Sequence, residues 1–181
     1  NLKADEFNIT AQEIIIDKEN EILIGKGSVQ AVDKDGNIIY ANKITYEKSK
    51  EFLLAEGNVK IKDIEGNILI SEKATYDKIN EIIITYDSSE VVLKEGYKLL
   101  TKDISYDTKE KIVSSNNDSI FTDNDGNYIE TTMFQYQVKN NLFSSIGKIK
   151  IIDIKKNEYF FKELYVDTKK KEMIGSEVSV I

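Results

Sequence analysis

Proline, cysteine, tryptophan and histidine are absent from this 181-residue chain, and so is arginine, because all 25 basic residues are lysines. The accompanying excess of Lys, Asn and Ile is the bias of an AT-rich genome. Without His or Cys there is no thiolate nucleophile, no ordinary zinc or copper site and no familiar catalytic triad. Asp, Glu, Lys, Ser and Tyr remain, so carboxylate or lysine chemistry stays open. No apolar run approaches the roughly 20 residues of a membrane-spanning helix. No signal peptide is visible, and the opening NLKADEF reads as the start of a mature or trimmed chain.

The net charge of −7 is unevenly spread. Residues 1–90 hold 11 Lys against 18 acids, whereas residues 91–181 hold 14 of each. From Lys139 to Lys171 there are 9 Lys and 4 acids, a local excess of five positive charges. An acidic chain without arginine forks or a broad basic stripe is a poor nucleic-acid binder.

What the chain does have is a repeat. Ile16, Tyr46, Tyr76, Tyr106, Tyr136 and Val166 stand 30 residues apart, and two positions earlier the same spacing runs through Ile14, Ile44, Ala74, Ile104, Phe134 and Leu164. A second register falls on Gly27, Gly57, Asp87, Asn117, Gly147 and Glu177, and a third on Gly36, Gly66, Gly96 and Gly126. Gly in Asp-Gly and Gly-Asn steps supplies the left-handed backbone of tight hairpins. Three registers with one period argue for an array of like units.

Each unit reads as two strands. In EFLLAEGNVKIKD, Leu53, Ala55, Gly57, Val59 and Ile61 share one face, with Glu56, Asn58, Lys60 and Lys62 on the other. In the preceding strand Ile44 and Tyr46 share a face, but Ile39 and Ala41 have the opposite parity, which predicts a bulge near Asn42-Lys43. Helical periodicity is missing and β-branched residues crowd every unit, so about twelve strands are expected.

Three candidate chemistries are weak. TDNDGNYIE (Thr122–Glu130) and VDKDGN resemble calcium loops, but Gly126 directly follows Asp125, which is the wrong place for an EF-hand. Neighbouring residues of a strand point to opposite faces, so a pair such as Tyr76-Asp77 does not converge on one substrate. The lysines of DTKKKEMIG lack the aromatics and guanidinium forks of a phosphate site, and IGKGSV lacks the spacing of a phosphate loop. No catalytic residue and no metal or cofactor site is expected.

The phrase running from Ala41 to Asn67, and LLAEGNVKI within it, resembles the OstA-like family of lipopolysaccharide transport domains. The likeness covers the chain through its repeat and weakens from Ser88 to Asp123, where the Gly-Asn-Val element is lost. The family includes the periplasmic bridge protein LptA, the tethered LptC and the N-terminal domain of the assembly protein LptD. The resemblance implies an all-β, elongated, V-shaped β-jellyroll, here one domain over 1–181 with repeats near 7–37, 38–67, 68–96, 97–127, 128–157 and 158–181. It implies a periplasmic, non-enzymatic module whose cleft shields the acyl chains of lipopolysaccharide and whose edges pair with neighbouring jellyrolls. The abrupt end at GSEVSVI favours the LptD type, attached to the outer membrane through its own barrel beyond Ile181, over the LptA type.

On that reading the cleft is lined by Ile14, Ile16, Leu23, Val29, Ile44, Tyr46, Leu53, Val59, Ile61, Ala74, Tyr76, Ile104, Tyr106, Phe134, Tyr136, Ile149 and Ile151. The partner edges carry Phe7, Ile9 and Ile14 at one end and Val178 and Val180 at the other. Two other readings compete: a structural or adhesive β-solenoid with a closed core, and a β-helical polysaccharide lyase or hydrolase. The latter needs carboxylates clustered on one face, whereas the acids here are spread among turns.

Overall fold

The computed structural model describes residues 2–4, 7–94 and 96–180, with 2–4 and 180 described by backbone alone. The chain opens with β1 (Leu2–Ala4), β2 (Phe7–Thr10) and β3 (Glu13–Asp17). Five long strands follow: β4 (Ile22–Asp33), β5 (Ile38–Glu47), β6 (Phe52–Lys62), β7 (Ile68–Asp77) and β8 (Ile82–Val92). The middle is shorter: β9 (Lys98–Lys102), β10 (Ser105–Asp107), β11 (Ile112–Ser115), β12 (Ser119–Thr122), β13 (Tyr128–Thr131) and β14 (Phe134–Gln137). Two long strands, β15 (Leu142–Ile152) and β16 (Glu158–Asp167), precede β17 (Glu172–Ser176) and β18 (Ser179–Val180). Two single 3₁₀ turns, Lys48–Lys50 and Val138–Asn140, are the only helical pieces among the described residues, and no helix there is long and apolar enough to cross a membrane.

Eighteen strands replace the expected twelve because several break in two at one level of the fold. Every pairing is antiparallel. In the long strands the register shifts between Lys26 and Val29, Tyr40 and Lys43, Glu56 and Val59, Ser71 and Lys73, and Ile146 and Ile149. These shifts lie side by side and form one bend line. The bulge predicted at Asn42-Lys43 is one of them, and it reconciles the parities, since Ile39, Ala41, Ile44 and Tyr46 are all buried.

The bend line divides the ladder into two half-sheets that face each other. Phe7 in one half-sheet meets Tyr46 in the other at 5.3 Å between ring centroids, and Phe121 meets Phe134 at 4.9 Å and Phe143 at 4.4 Å, all edge to face. Between β8 and β15 the strands are interrupted at the bend. There the pairings close a ring, β8-β10-β11-β14-β15-β13-β12-β9, flanked by the continuous bent strands.

Turn chemistry repeats at the same interval. Positive φ recurs at Glu21, Glu51, Glu81, Lys111, Asn141 and Lys171 at one end, and at Gly36, Gly66, Gly96, Gly126 and Lys156 at the other. In four of the five turns of the second set, all but that of Gly96, an aspartate closes the turn. Asp123 Oδ1 accepts the N–H groups of Asp125 and Asn127, and its Oδ2 accepts Asn127 Nδ2 at 2.7 Å. The first carboxylate of each calcium-like segment, Asp33 or Asp123, is therefore occupied by its own turn, and Asp63 and Asp153 repeat the pattern. Turn stacks on turn: Asn67 Oδ1 accepts Lys94 N–H and Asn127 Oδ1 accepts Ile154 N–H.

Candidate functional site

The interior between the half-sheets is built from ladder rows. In the first half-sheet one row runs Ile16, Leu23, Tyr46, Leu53, Tyr76, Ile83, Tyr106, Val113, Tyr136, Phe143, Val166 and Met173, each the register partner of the next. The thirty-residue column of tyrosines is thus every second member of one apolar row. Closer to the bend lie Ile14, Ile44, Ala55, Ala74, Ile104, Phe134 and Leu164. The facing row runs Ile9, Ala31, Ile39, Ile61, Leu69, Val91, Leu99, Phe121, Ile129, Ile151 and Tyr159.

That facing row was only partly anticipated: of its members, the sequence pointed to Ile61 and Ile151 as lining and placed Ile9 on an outer edge. The signal was available, since 9, 39, 69, 99, 129 and 159 are all apolar at the same spacing. It is hidden in sequence by the parity flip at the bend.

Burial along the interior is graded. Leu23, Val29, Ile44, Tyr46, Leu53, Val59, Ala74, Tyr76, Ile104, Phe134, Ile149 and Ile151 are buried, and Ile14, Ile61, Tyr106 and Tyr136 are half-buried against the core. Ile16 departs from this: it is 47% exposed, and among the described residues β3 pairs with β4 alone. In the N-terminal part even the residues farthest from the bend are covered, with Phe7 at 2% exposure, Tyr46 at 1% and Ile9 at 0%. From Leu69 onward Leu69, Val91, Val113, Phe121, Ile129 and Tyr159 are half-buried, while Ile83, Leu99, Phe143 and Ile151 of the same rows stay buried.

Phe7 and Ile9 correct the edge assignment. Strand β2 is bonded to β4 on one side and β1 on the other, so both side chains turn into the core rather than onto a free edge. The Phe7 ring seals this end of the interior, 6.1 Å from Tyr76 and with Lys78 Nζ 5.4 Å from its centroid. Ile14, on β3, does lie on an edge strand. Val178 is 54% exposed between β17 and β18, and the Val180 backbone pairs through β18 with β16, whose Tyr159 is its register partner.

Opposite the bend, the mouth between the half-sheets has a recess of about 300 Å³ bordered by Ile64, Leu93, Tyr136 and Val138. Tyr97 Oη crosses from one half-sheet to donate to the Thr168 carbonyl at 3.4 Å, and Thr168 Oγ1 lies 3.3 Å from Tyr136 Oη. Burial raises the phenol pKa of Tyr76 and of Tyr106 above the ordinary value, so both stay neutral under physiological conditions.

At the bend itself the filling changes along the chain. Near the N-terminus it is apolar, with Ala41, Ala55, Val59 and Ala74. From β7 to β15 it is a chain of buried hydroxyls: Ser71, Thr85, Ser89, Thr101, Ser115, Ser119, Thr131 and Ser145. Ser89 donates to Thr85 Oγ1 at 2.7 Å, Thr101 pairs with Ser119 at 2.7 Å, and Thr131 pairs with Ser145. They also satisfy backbone groups freed where strands break. Thr85 Oγ1 accepts Ile104 N–H, Ser115 donates to the Lys102 carbonyl, and Ser145 donates to the Met133 carbonyl.

No family model matches the chain, and no curated protein matches it. Among solved structures it is similar to LptH of Pseudomonas aeruginosa, described as the LptA-homologous periplasmic component of the lipopolysaccharide transport device. The two share 13% identity over 97% of this chain and 93% of that one, with a TM-score of 0.27. At that score the two backbones do not superpose as wholes.

Proposed function

We propose that this chain is a periplasmic, non-catalytic lipid-conducting module that shields the acyl chains of lipopolysaccharide between its half-sheets. The observation that carries the reading is the pair of facing apolar rows, unbroken across the whole array, in which the half-buried Leu69, Val91, Phe121, Ile129 and Tyr159 are interspersed with the buried Leu99 and Ile151. Sheltering a chain of about twelve carbons is worth on the order of 10 kcal/mol, at roughly 0.8 per CH₂. Isolated surface residues do not supply that, and a continuous row does. The OstA-like phrase in Ala41–Asn67 supports the same assignment, with opening of the V-shaped jellyroll at its mouth as the loading step.

The ends of the array suit strand addition by neighbouring jellyrolls, since β3 at one end and β17 at the other each pair on one side among the described residues. We assign β17 and β18 to the side leading toward an outer-membrane barrel or a further subunit. The test is extraction of the chain from cells that make lipopolysaccharide. Bound lipid A recovered by mass spectrometry, and lost on Val91→Asp plus Val113→Asp, supports the reading; lipid-free protein at every stage contradicts it.

The closed-core solenoid has one observation in its favour, the tight N-terminal packing around Phe7 and Tyr46. That reading expects the same low exposure along the entire array, which Leu69, Val91 and Phe121 do not show.

A further inference from the structure

The outward face of the second half-sheet, across the sheet from the interior, carries a groove of about 700 Å³ that spans β8, β9, β12, β13, β15 and β16. Its floor follows one ladder row: Leu100 opposite Ile120, Ile120 opposite Glu130, Glu130 opposite Lys150 and Lys150 opposite Phe160. At about 4.8 Å per strand this row covers roughly 19 Å. Leu100 and Ile120 are 52% and 41% exposed and are direct cross-strand neighbours, so they form a patch rather than scattered points.

Beside the floor, on the bend side, stand Lys102, Lys148 and Lys162. Three of the groove's four lysines, Lys148, Lys150 and Lys162, belong to the basic stretch Lys139–Lys171 that the interior does not use. Lys150 bonds Glu158 at 2.7 Å and lies 5.8 Å from the Phe160 centroid, and Lys162 pairs with Glu177. Lys102 and Lys148 have no ion-pair partner among the described residues, and the groove's own acids are Asp118 and Glu130. Two ammonium groups without an ion-pair partner among the described residues, flanking a floor that is apolar at Leu100, Ile120 and Phe160, complement one chemistry: a hydrocarbon tail bearing an acidic head. The volume lies within the roughly 300–1,000 Å³ of small-molecule sites.

We propose that this groove binds a single-chain anionic amphiphile of the fatty-acid class, with Lys102 or Lys148, on either side of the bend-side rim, receiving the carboxylate and Leu100 and Ile120 the tail. The site is separate from the interior and goes beyond the transport reading. The full chain with ¹³C-labelled Ile and Leu methyls is titrated with laurate and, in parallel, with the neutral dodecyl maltoside, both below micelle formation. Laurate shifts the Ile120 and Leu100 methyls saturably while Ile44 and Ile104 stay in place, and binds at least tenfold more tightly than the maltoside. The double variant K102Q/K148Q, whose exposed side chains leave the melting temperature unchanged, weakens laurate at least tenfold.

Equal affinity for the two amphiphiles overturns the proposal, as does the absence of any shift at Ile120. Shifts confined to Ile44 and Ile104 also overturn it, while leaving the interior reading intact. Concentration-dependent shifts without ligand, matched by dimerisation in sedimentation, would assign the patch to a second copy instead.

Discussion

The N-terminal and central parts of this molecule solve the same bend in different ways. In β4 and β6 the strand runs through the bend on a pair of left-handed residues, Gly27-Ser28 and Gly57-Asn58, and small apolar side chains fill the inside. From β9 to β14 the glycines are gone, the strands break, and serine and threonine hydroxyls bridge the gap. With the glycine step β4 and β6 run through the bend unbroken, and Ala41, Ala55, Val59 and Ala74 fill the inside. Where it is lost, backbone groups are orphaned and buried hydroxyls become the means of satisfying them. The same division separates a sealed end, plugged by Phe7, from a central stretch where half-buried Val91, Val113, Phe121 and Ile129 alternate with buried residues.

The largest expected contrast follows from that plug. Phe7→Ala should cost about 3–5 kcal/mol, as large aromatic truncations in packed cores do. Phe121→Ala, at a half-buried position of the central part, should cost clearly less, and urea denaturation of both variants measures the difference. Equal losses would mean that the two ends are packed alike.

Exchanging the bend chemistries should come next. Thr85→Val strands the Ile104 N–H and takes from the Ser89 hydroxyl its shortest acceptor, leaving Ser71 Oγ and the Asp87 carbonyl at 3.3 Å, and should lose about 1–3 kcal/mol. Val59→Thr buries a hydroxyl in the apolar bend and should lose a similar amount, about 1–3 kcal/mol. If Thr85→Val were neutral, the hydroxyl chain would be incidental. Gly57→Ala should cost about 1–2 kcal/mol, because φ is +76° and the added methyl would come within 2.7 Å of Asn42 Nδ2.

The smallest effect is that of pH, and it is spread along both parts. Asn20, Asn80, Asn157 and Lys170, through side-chain or backbone N–H groups, bond the ionised carboxylates of Asp17, Asp77, Asp153 and Asp167 and hold their pKa values below the ordinary one. A lowered folded-state pKa adds stability above the unfolded value, near 3.9, and that stability is lost as pH falls through the folded one. Melting temperature should therefore drop below about pH 4, and Asp77→Asn should slightly flatten that drop.

Much of this architecture was readable in the residues. The turns were, because Asp-x-x-Gly-Asn and Tyr-Asp-Lys carry their own local hydrogen bonds wherever the chain places them. The inward row through Ile44, Tyr46, Leu53 and Tyr76 was, because alternation survives within each half-strand. What escaped depends on neighbours far along the chain. Phe7 looks like an edge residue until β1 pairs beside it, and Ile16 looks like core but lies on β3, which pairs with β4 alone among the described residues. Ser71, Ser89 and Thr101 look like surface polar residues until broken strands supply their partners.

The measurement that tests the central claim most directly compares three photoreactive phenylalanines in cells that make lipopolysaccharide. One replaces the half-buried Tyr106, one the sealed Tyr46, and one the outward Lys60. The account predicts a lipopolysaccharide adduct that is strongest at 106, weaker at 46 and absent at 60. Folded protein with no adduct at 106 or 46, or an adduct at 60 alone, would contradict an interior lipid path and leave the rows as core.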